Sequence, residues 1–198
     1  MTKISLVRHG VHDVIDEILV GRMAGVRLNR RGRDQAALIA EALGREHVDG
    51  VQSSPQLRAQ ETAEPLARRL GLSVEVSAAI DEMNMGAWTG RSFASLTGDP
   101  FWSLWNTTRG AIRPPDGESM LELQKRAVDH LSKFAGSTPH GHVALYSHAE
   151  VIRAVVMHAL KLPLDDFHRV EIAPASISTV AVGPDGIAMI ALNRSVVS

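Results

Sequence analysis

Ile4-Ser5-Leu6-Val7-Arg8-His9-Gly10 is a short apolar run that ends abruptly in a guanidinium, an imidazole and a residue without a side chain. Such a run reads as a buried strand. In open parallel α/β sheets, ligands sit beyond the carboxyl ends of the strands, so Arg8 and His9 are expected to project into a crevice at the sheet edge. An Arg-His pair at a strand end is also compatible with a plain surface turn, and its meaning depends on what the rest of the chain brings to it.

Outward from this stretch, residues 3–8 form the first strand and a polar loop follows through Gly21, Arg22 and Gly25. Ala36, Ile39, Ala40 and Leu43 recur at helical spacing, which predicts an amphipathic helix over 31–46. A short strand is expected at 49–53. Ser54 as N-cap and Pro55 at the first helical position then start a helix over 56–70, closed by Gly71. A third strand is expected at 72–76, a loop at 81–90 and a short helix at 101–109. Arg113-Pro114-Pro115-Asp116-Gly117 breaks the chain before a helix over 118–134. Residues 143–147 read as an apolar strand and 150–160 as an almost wholly apolar, hence buried, helix. Strands at 170–172, 177–182 and 187–192 complete the pattern, the last two joined by a hairpin at Gly183-Pro184-Asp185-Gly186. Strands alternating with helices imply an α/β three-layer sandwich, a mostly parallel mixed sheet with helices on both faces.

Composition narrows the function classes. The 198 residues are compatible with a single domain over 1–198 that buries a core without staples. The absence of cysteine excludes disulfides, thiolate nucleophiles and thiolate metal sites. A net charge of −1 gives no electrostatic argument for nucleic acid or membrane partners. The amino-terminal apolar run is too short for a signal peptide or a spanning helix, so a cytoplasmic protein is expected. The oligomeric state is not readable.

Three strand-to-helix junctions stand out: Arg8-His9, Ser53-Ser54 leading to Arg58, and Ser147-His148. If the strands are parallel, all three open on one sheet edge, where two arginines and two histidines converge. Guanidinium forks match phosphate oxygens, and helix-start amides add partial positive charge. A phosphoryl group is the expected guest.

At this point the chain resembles a known family. Leu6-Val7-Arg8-His9-Gly10, the stretch Ser53-Ser54-Pro55-Gln56-Leu57-Arg58-Ala59-Gln60-Glu61-Thr62-Ala63, Glu82 ahead of Gly86-Ala87-Trp88-Thr89-Gly90, and Ser147-His148 followed by Val151-Ile152-Arg153 occur in the order found in the histidine phosphatase superfamily, in the branch that includes cofactor-dependent phosphoglycerate mutases. The resemblance implies a mixed, mainly parallel sheet between helices, no metal or other cofactor, and a phosphohistidine intermediate.

The chemistry can be argued beside it. A neutral imidazole attacks a phosphate monoester without the repulsion an anion meets, and its reference pKa is about 6.5, which suits His9 as nucleophile. Arg8, Arg58 and His148, the last as proton donor or cation, are expected to hold the non-bridging oxygens. Glu82 matches the family's general acid/base, with Asp81 beside it as a competitor. Arg22 and Ala149 are expected as further substrate contacts, Ala149 through its backbone amide.

Departures from the family pattern also matter. Many members follow Arg-His-Gly with Glu-Thr or Glu-Ser and then Trp-Asn, the Asn lying in the phosphate pocket; here Val11-His12-Asp13-Val14-Ile15 takes that place, and His12 either substitutes for that contact or, the favoured expectation, faces water from the loop. Ala149-Glu150 replaces small residues, and Glu150 is expected to complement the helix dipole. His140-Gly141-His142 reads as a polar turn rather than a metal site. Residues 102–115, with Asn106, Arg109 and Arg113, are the expected cap over the pocket. The expected function is hydrolysis of a small phosphorylated substrate. A phosphoglycerate-type mutase and a non-catalytic phosphate-binding module on the same fold are the alternatives.

Overall fold

In the computed structural model, which describes residues 1–137 and 139–196, the opening apolar run lies in strand β1 (Thr2–Arg8) at the heart of a six-stranded sheet. The other strands are β2 (Gly50–Ser53), β3 (Val74–Val76), β4 (His142–Ser147), β5 (Ile177–Gly183) and β6 (Gly186–Arg194). Their order is β3-β2-β4-β1-β5-β6, with the first four mutually parallel and β5 and β6 antiparallel. Arg8 pairs with Ser147 and Ser53 with Tyr146, so three strand ends stand in a row at one edge.

The period of two along the buried strands sorts the layers. Val7, Ala144 and Tyr146 face the helices α1 (Arg30–Leu43) and α2 (Leu57–Leu70), packing with Ile39, Leu43 and Leu66. Ile4, Leu6, Val143 and Leu145 share the opposite cluster with Leu123, Leu131, Ile152 and Val155 of α5 (Met120–Ser137) and α6 (Ala149–Leu160). Each fully buried aliphatic side chain contributes about 1.5–3 kcal/mol. Truncating Leu66, which is wholly buried, to alanine is expected to cost about 2–5 kcal/mol.

Several boundaries move for physical reasons. Asn29 caps α1 by accepting from the Gly32 amide, one residue ahead of the expected start. The helix expected from Ser54-Pro55 begins at Leu57 instead: the Ser54 hydroxyl accepts from the Gln56 amide and is drawn to two other side chains described below. The strand expected at 170–172 is not one. Its carbonyls at Val170 and Ile172 accept from the side chains of Arg153 and Arg8, so that backbone is satisfied without a ladder. The short helix expected at 101–109 is α4 (Pro100–Trp105), with Asp99 as N-cap and Pro100 in its first turn, and an unexpected helix precedes it, α3 (Phe93–Thr97), capped by Ser92. Leu72 and Ser73 lie outside β3, and α5 starts two residues beyond 118.

Candidate active site

The three strand ends deliver their side chains to one cleft of about 130 Å³, whose lining includes Arg8, His9, His12, Arg58, Glu82 and Ala149. Beyond β1, the His9 amide donates to the Ser147 carbonyl at 3.0 Å, which locks the turn to β4. The chain then passes against the start of α1. A Cβ on Gly10 would fall 2.7 Å from the Gly32 carbonyl oxygen, and one on Gly32 would strike the Val11 carbonyl, so only a glycine pair lets that helix lie this close behind His9.

The polarity of the His9 ring follows from its neighbours. Nδ1 meets the Gly10 carbonyl at 2.8 Å and must donate there, leaving Nε2 with its lone pair. Arg58 Nε approaches that Nε2 at 3.4 Å. Burial, then Arg58 and Arg8, hold the imidazole well below its ordinary pKa, so it stays neutral. His12 stacks on it with ring centroids 5.5 Å apart. Contrary to the expectation of a solvent-facing loop residue, His12 is 5% exposed; burial, with Arg58 and Arg8, pulls it down to about 4.

His148 lies beneath, wholly buried, with its ring 5.2 Å from that of His9. The Ser54 hydroxyl donates to Asp81 Oδ1 at 3.1 Å and therefore accepts from His148 Nε2 at 2.7 Å. This fixes the tautomer: His148 Nδ1 is the acceptor for Arg58 Nη2 at 3.2 Å. Burial first, then Arg58 and His9, depress its pKa strongly, so the expected cation is a neutral imidazole in the free protein. The serine that sequence reading made a helix cap is thus the link between a carboxylate and a buried histidine.

Asp81 and Glu82 separate by geometry. Asp81 Oδ1 accepts from Ser54, Gln56 Nε2 and the Glu82 amide, while Oδ2 lies 3.3 Å from Arg22 Nε. Glu82 instead lines the cleft, with Oε2 3.6 Å from His148 Nδ1. Burial raises its carboxyl to about 7 against the opposing pull of Arg58. Glu82 is thus able to carry a proton near neutral pH while His148 stays neutral.

Three buried polar atoms of this cleft have no hydrogen-bond partner among the described residues: Arg8 Nε, Arg58 Nη1 and His12 Nδ1. The start of α6 also lacks a side-chain cap, and Ala149, its first residue, is on the lining. Arg22 is not on it; its Nε donates to the Glu82 carbonyl at 2.6 Å and braces that segment from outside. The expected cap cations also turn away. Arg113 binds Glu122 at 2.9 Å, and the Arg109 guanidinium is sandwiched 4.0 Å from the Trp105 ring and 3.5 Å from Phe167. Arg109 donates to Asn106 and, with Arg153, clamps Glu150. Burial pushes the Glu150 carboxyl up, but these two arginines outweigh it and hold it at about 2. Glu150 thus serves a buried bridge rather than only the helix dipole. Among the described residues no three His, Asp or Glu side chains are grouped to hold a metal, and no helix is long and apolar enough to cross a membrane.

A mixed six-stranded sheet between helices, with an Arg-His pair at the end of its central parallel strand, defines the phosphoglycerate mutase-like class of α/β proteins. The chain belongs to the histidine phosphatase superfamily: the model for its branch 1 matches residues 4–195. A protein of Mycobacterium tuberculosis of uncharacterized function is 35% identical over 136 residues, covering 67% of this chain and 65% of its own length. A Yersinia pestis protein designated a probable phosphoglycerate mutase is 32% identical over 91% of this chain and 85% of its own. Among solved structures, mycobacterial glucosyl-3-phosphoglycerate phosphatase with VO3 superposes with a TM-score of 0.88 at 27% identity, over 98% of this chain and 99% of the other.

Proposed function

We propose that this protein, acting as one catalytic unit, hydrolyses a small phosphomonoester without a metal, through a phosphohistidine on His9. The observation that carries this reading is the convergence of unpaired, buried Arg8 Nε, Arg58 Nη1 and His12 Nδ1 beside the His9 lone pair. Buried polar atoms left without partners are costly and rare. A phosphoryl group supplies acceptors for both guanidinium groups, and the α6 amides at Ala149 add donors. The neighbour solved with VO3, and another determination of it with inorganic phosphate, support a phosphate-sized guest in this fold.

The steps balance on this chain's own groups. His9 Nε2 attacks phosphorus, the ester P–O bond breaks, and Glu82 gives its proton to the leaving alkoxide. A water then attacks the phosphohistidine while Glu82 takes back a proton, the N–P bond breaks, and inorganic phosphate leaves. A carboxyl near 7 is poised for both transfers at neutral pH. Arg8 and Arg58 stabilise the charge on the equatorial oxygens, and neutral His148 orients Arg58. The relative designated a probable mutase favours a second reading, in which His9 passes its phosphoryl group to another acceptor.

The deciding experiment measures phosphate release from 4-nitrophenyl phosphate with and without a chelator, beside a phosphoglycerate interconversion assay. Hydrolysis that survives chelation and is lost in a folded His9→Ala variant is expected. Activity in that variant, or activity restored only by a divalent ion, refutes the mechanism, and interconversion outpacing hydrolysis establishes the mutase.

A further inference from the structure

We propose that the ester this site hydrolyses belongs to an alcohol that carries no negative charge and presents an apolar stem next to the ester oxygen, and that carboxylate-bearing alcohols of the glycerate kind are rejected. This rests on the phosphatase reading above and concerns the outer half of the same cleft. Among the described residues, the cations on the lining are Arg8 and Arg58, both in the inner half. A phosphomonoester brings about −1.5 to −2 charge at pH 7, which those two guanidinium groups already match. Nothing positive is left on the lining for a second anion.

The outer wall has a different character. Ile15, Ile18, Leu19, Met85 and Phe93 make it apolar, and its two charged side chains, Asp16 and Glu150, are both carboxylates. Both carboxylates act on the Arg8 guanidinium, but Arg153 acts against them there, so the uncompensated negative charge on this wall is that of Asp16. Glu150 is offset by two arginines, whereas Asp16 has no cationic partner among the described residues. Arg109 and Arg153 are clamped on Glu150, Arg22 on the Asp81–Glu82 segment and Glu118, and Arg91 on Asp99 and the Ser95 carbonyl. A glycerate carboxylate entering beyond the phosphate would leave water for an apolar wall, with the unpaired charge of Asp16 beside it and no free cation on the described lining as partner. An alkyl stem would gain the burial of its own surface against the same side chains. The cleft volume of about 130 Å³ limits the part of the alcohol that is enclosed to the few atoms next to the ester.

The test compares kcat/KM of the full chain for glycerol 3-phosphate and 3-phosphoglycerate, nearly isosteric esters that differ by one carboxylate, and for n-butyl phosphate as the apolar stem. The expected preference against the carboxylate is about 10–100-fold, with n-butyl phosphate the best of the three. Asp16 is exposed at a φ of 63°, a conformation asparagine tolerates, so Asp16→Asn removes one charge without strain. This variant is expected to narrow the glycerol-to-glycerate ratio about threefold or more. Equal or faster turnover of 3-phosphoglycerate, a ratio unmoved by Asp16→Asn, or n-butyl phosphate ranking below glycerol 3-phosphate overturns the proposal. If none of the esters nor 4-nitrophenyl phosphate turns over, the phosphatase reading has failed. Titration calorimetry of the same three esters then decides the wall separately: the same order in Kd supports it, and any other order refutes it.

Discussion

Glu82→Gln is expected to make the protein more stable at alkaline pH while crippling it. The carboxyl is 13% exposed and rises from 4.5 to about 7 on folding, chiefly because burial penalises its charged form. A carboxyl raised in this way favours the folded state while protonated, and that advantage is lost as pH climbs from the unfolded value through 7. Linkage gives a cost of ionising it in the fold of about 1 kcal/mol at pH 5 and about 3 kcal/mol at pH 8. Glutamine is never charged, and its amide oxygen can still accept from the Met83 amide as Glu82 Oε1 does at 2.8 Å. The buried imidazoles of His9, His12 and His148 have the opposite dependence: their depressed values favour the fold above about 6.5 and disfavour it below. The wild-type profile is a sum of both trends, and the variant minus wild type isolates Glu82. Urea unfolding at pH 5 and pH 8 reads it directly. With a slope of about 2 kcal/mol/M, the variant's midpoint should exceed wild type by about 1 M or more at pH 8 and by much less at pH 5. An equal gain at both values, or a loss at pH 8, would show that Glu82 is not held as a neutral acid in the folded protein.

The same variant should slow alkyl phosphates about 10²–10⁴-fold from the first step. Aryl phosphates, whose leaving groups need little protonation, should instead accumulate acid-labile phosphate on His9; equal slowing of both without trapped phosphate would assign the acid elsewhere. His12→Ala should lower kcat/KM about 10-fold or more, through loss of a hydrogen bond to a charged group, and an unchanged value would reduce His12 to packing. Arg109→Leu leaves Glu150 with one of its two partners and should cost about 3 kcal/mol of stability, read as a fall in Tm of about 10 °C; a shift of 1–2 °C would mean that Arg153 alone satisfies the carboxylate.

How far the sequence carries depends on whether a contact is local. The apolar run to Val7 and the strand 143–147 are buried on both faces and the helix 150–160 over most of Val151–Met157, so their composition alone announces them, and parallel pairing then aligns Arg8, Ser53 and Ser147. The arrival of Arg58 at His9 follows from that alignment. Short helices carry too few turns to show a period, which is why α3 has no sequence counterpart and α4 is shorter than its sequence pattern suggests, although Ser92 and Asp99-Pro100 are readable start signals. Fates decided across the fold were not legible. Arg109 finds Glu150 at a separation of 41 residues and Arg22 finds the Glu82 carbonyl across 60. The Val170–Ile172 run has a strand's composition, yet two arginines take its carbonyls. His12 does lie in a loop, but nothing in its neighbours says that it is buried there and stacks on His9.

The aromatic packing of the cap gives the molecule a built-in optical reporter. Trp88, Trp102 and Trp105 are the chain's three tryptophans, and their rings lie within 5.5 Å of one another, centroid to centroid. Met85 and Phe93 of the cleft wall adjoin them, and the Arg109 guanidinium lies against Trp105. No indole sits in the sheet or on α1, α2, α5 or α6. Intrinsic emission therefore follows the segment from Trp88 to the end of α4 and its link through Arg109 to Phe167, while far-ultraviolet ellipticity follows the sheet and long helices. Where emission changes ahead of ellipticity during heating or denaturant titration, the aromatic wall of the cleft has let go before the scaffold that holds His9.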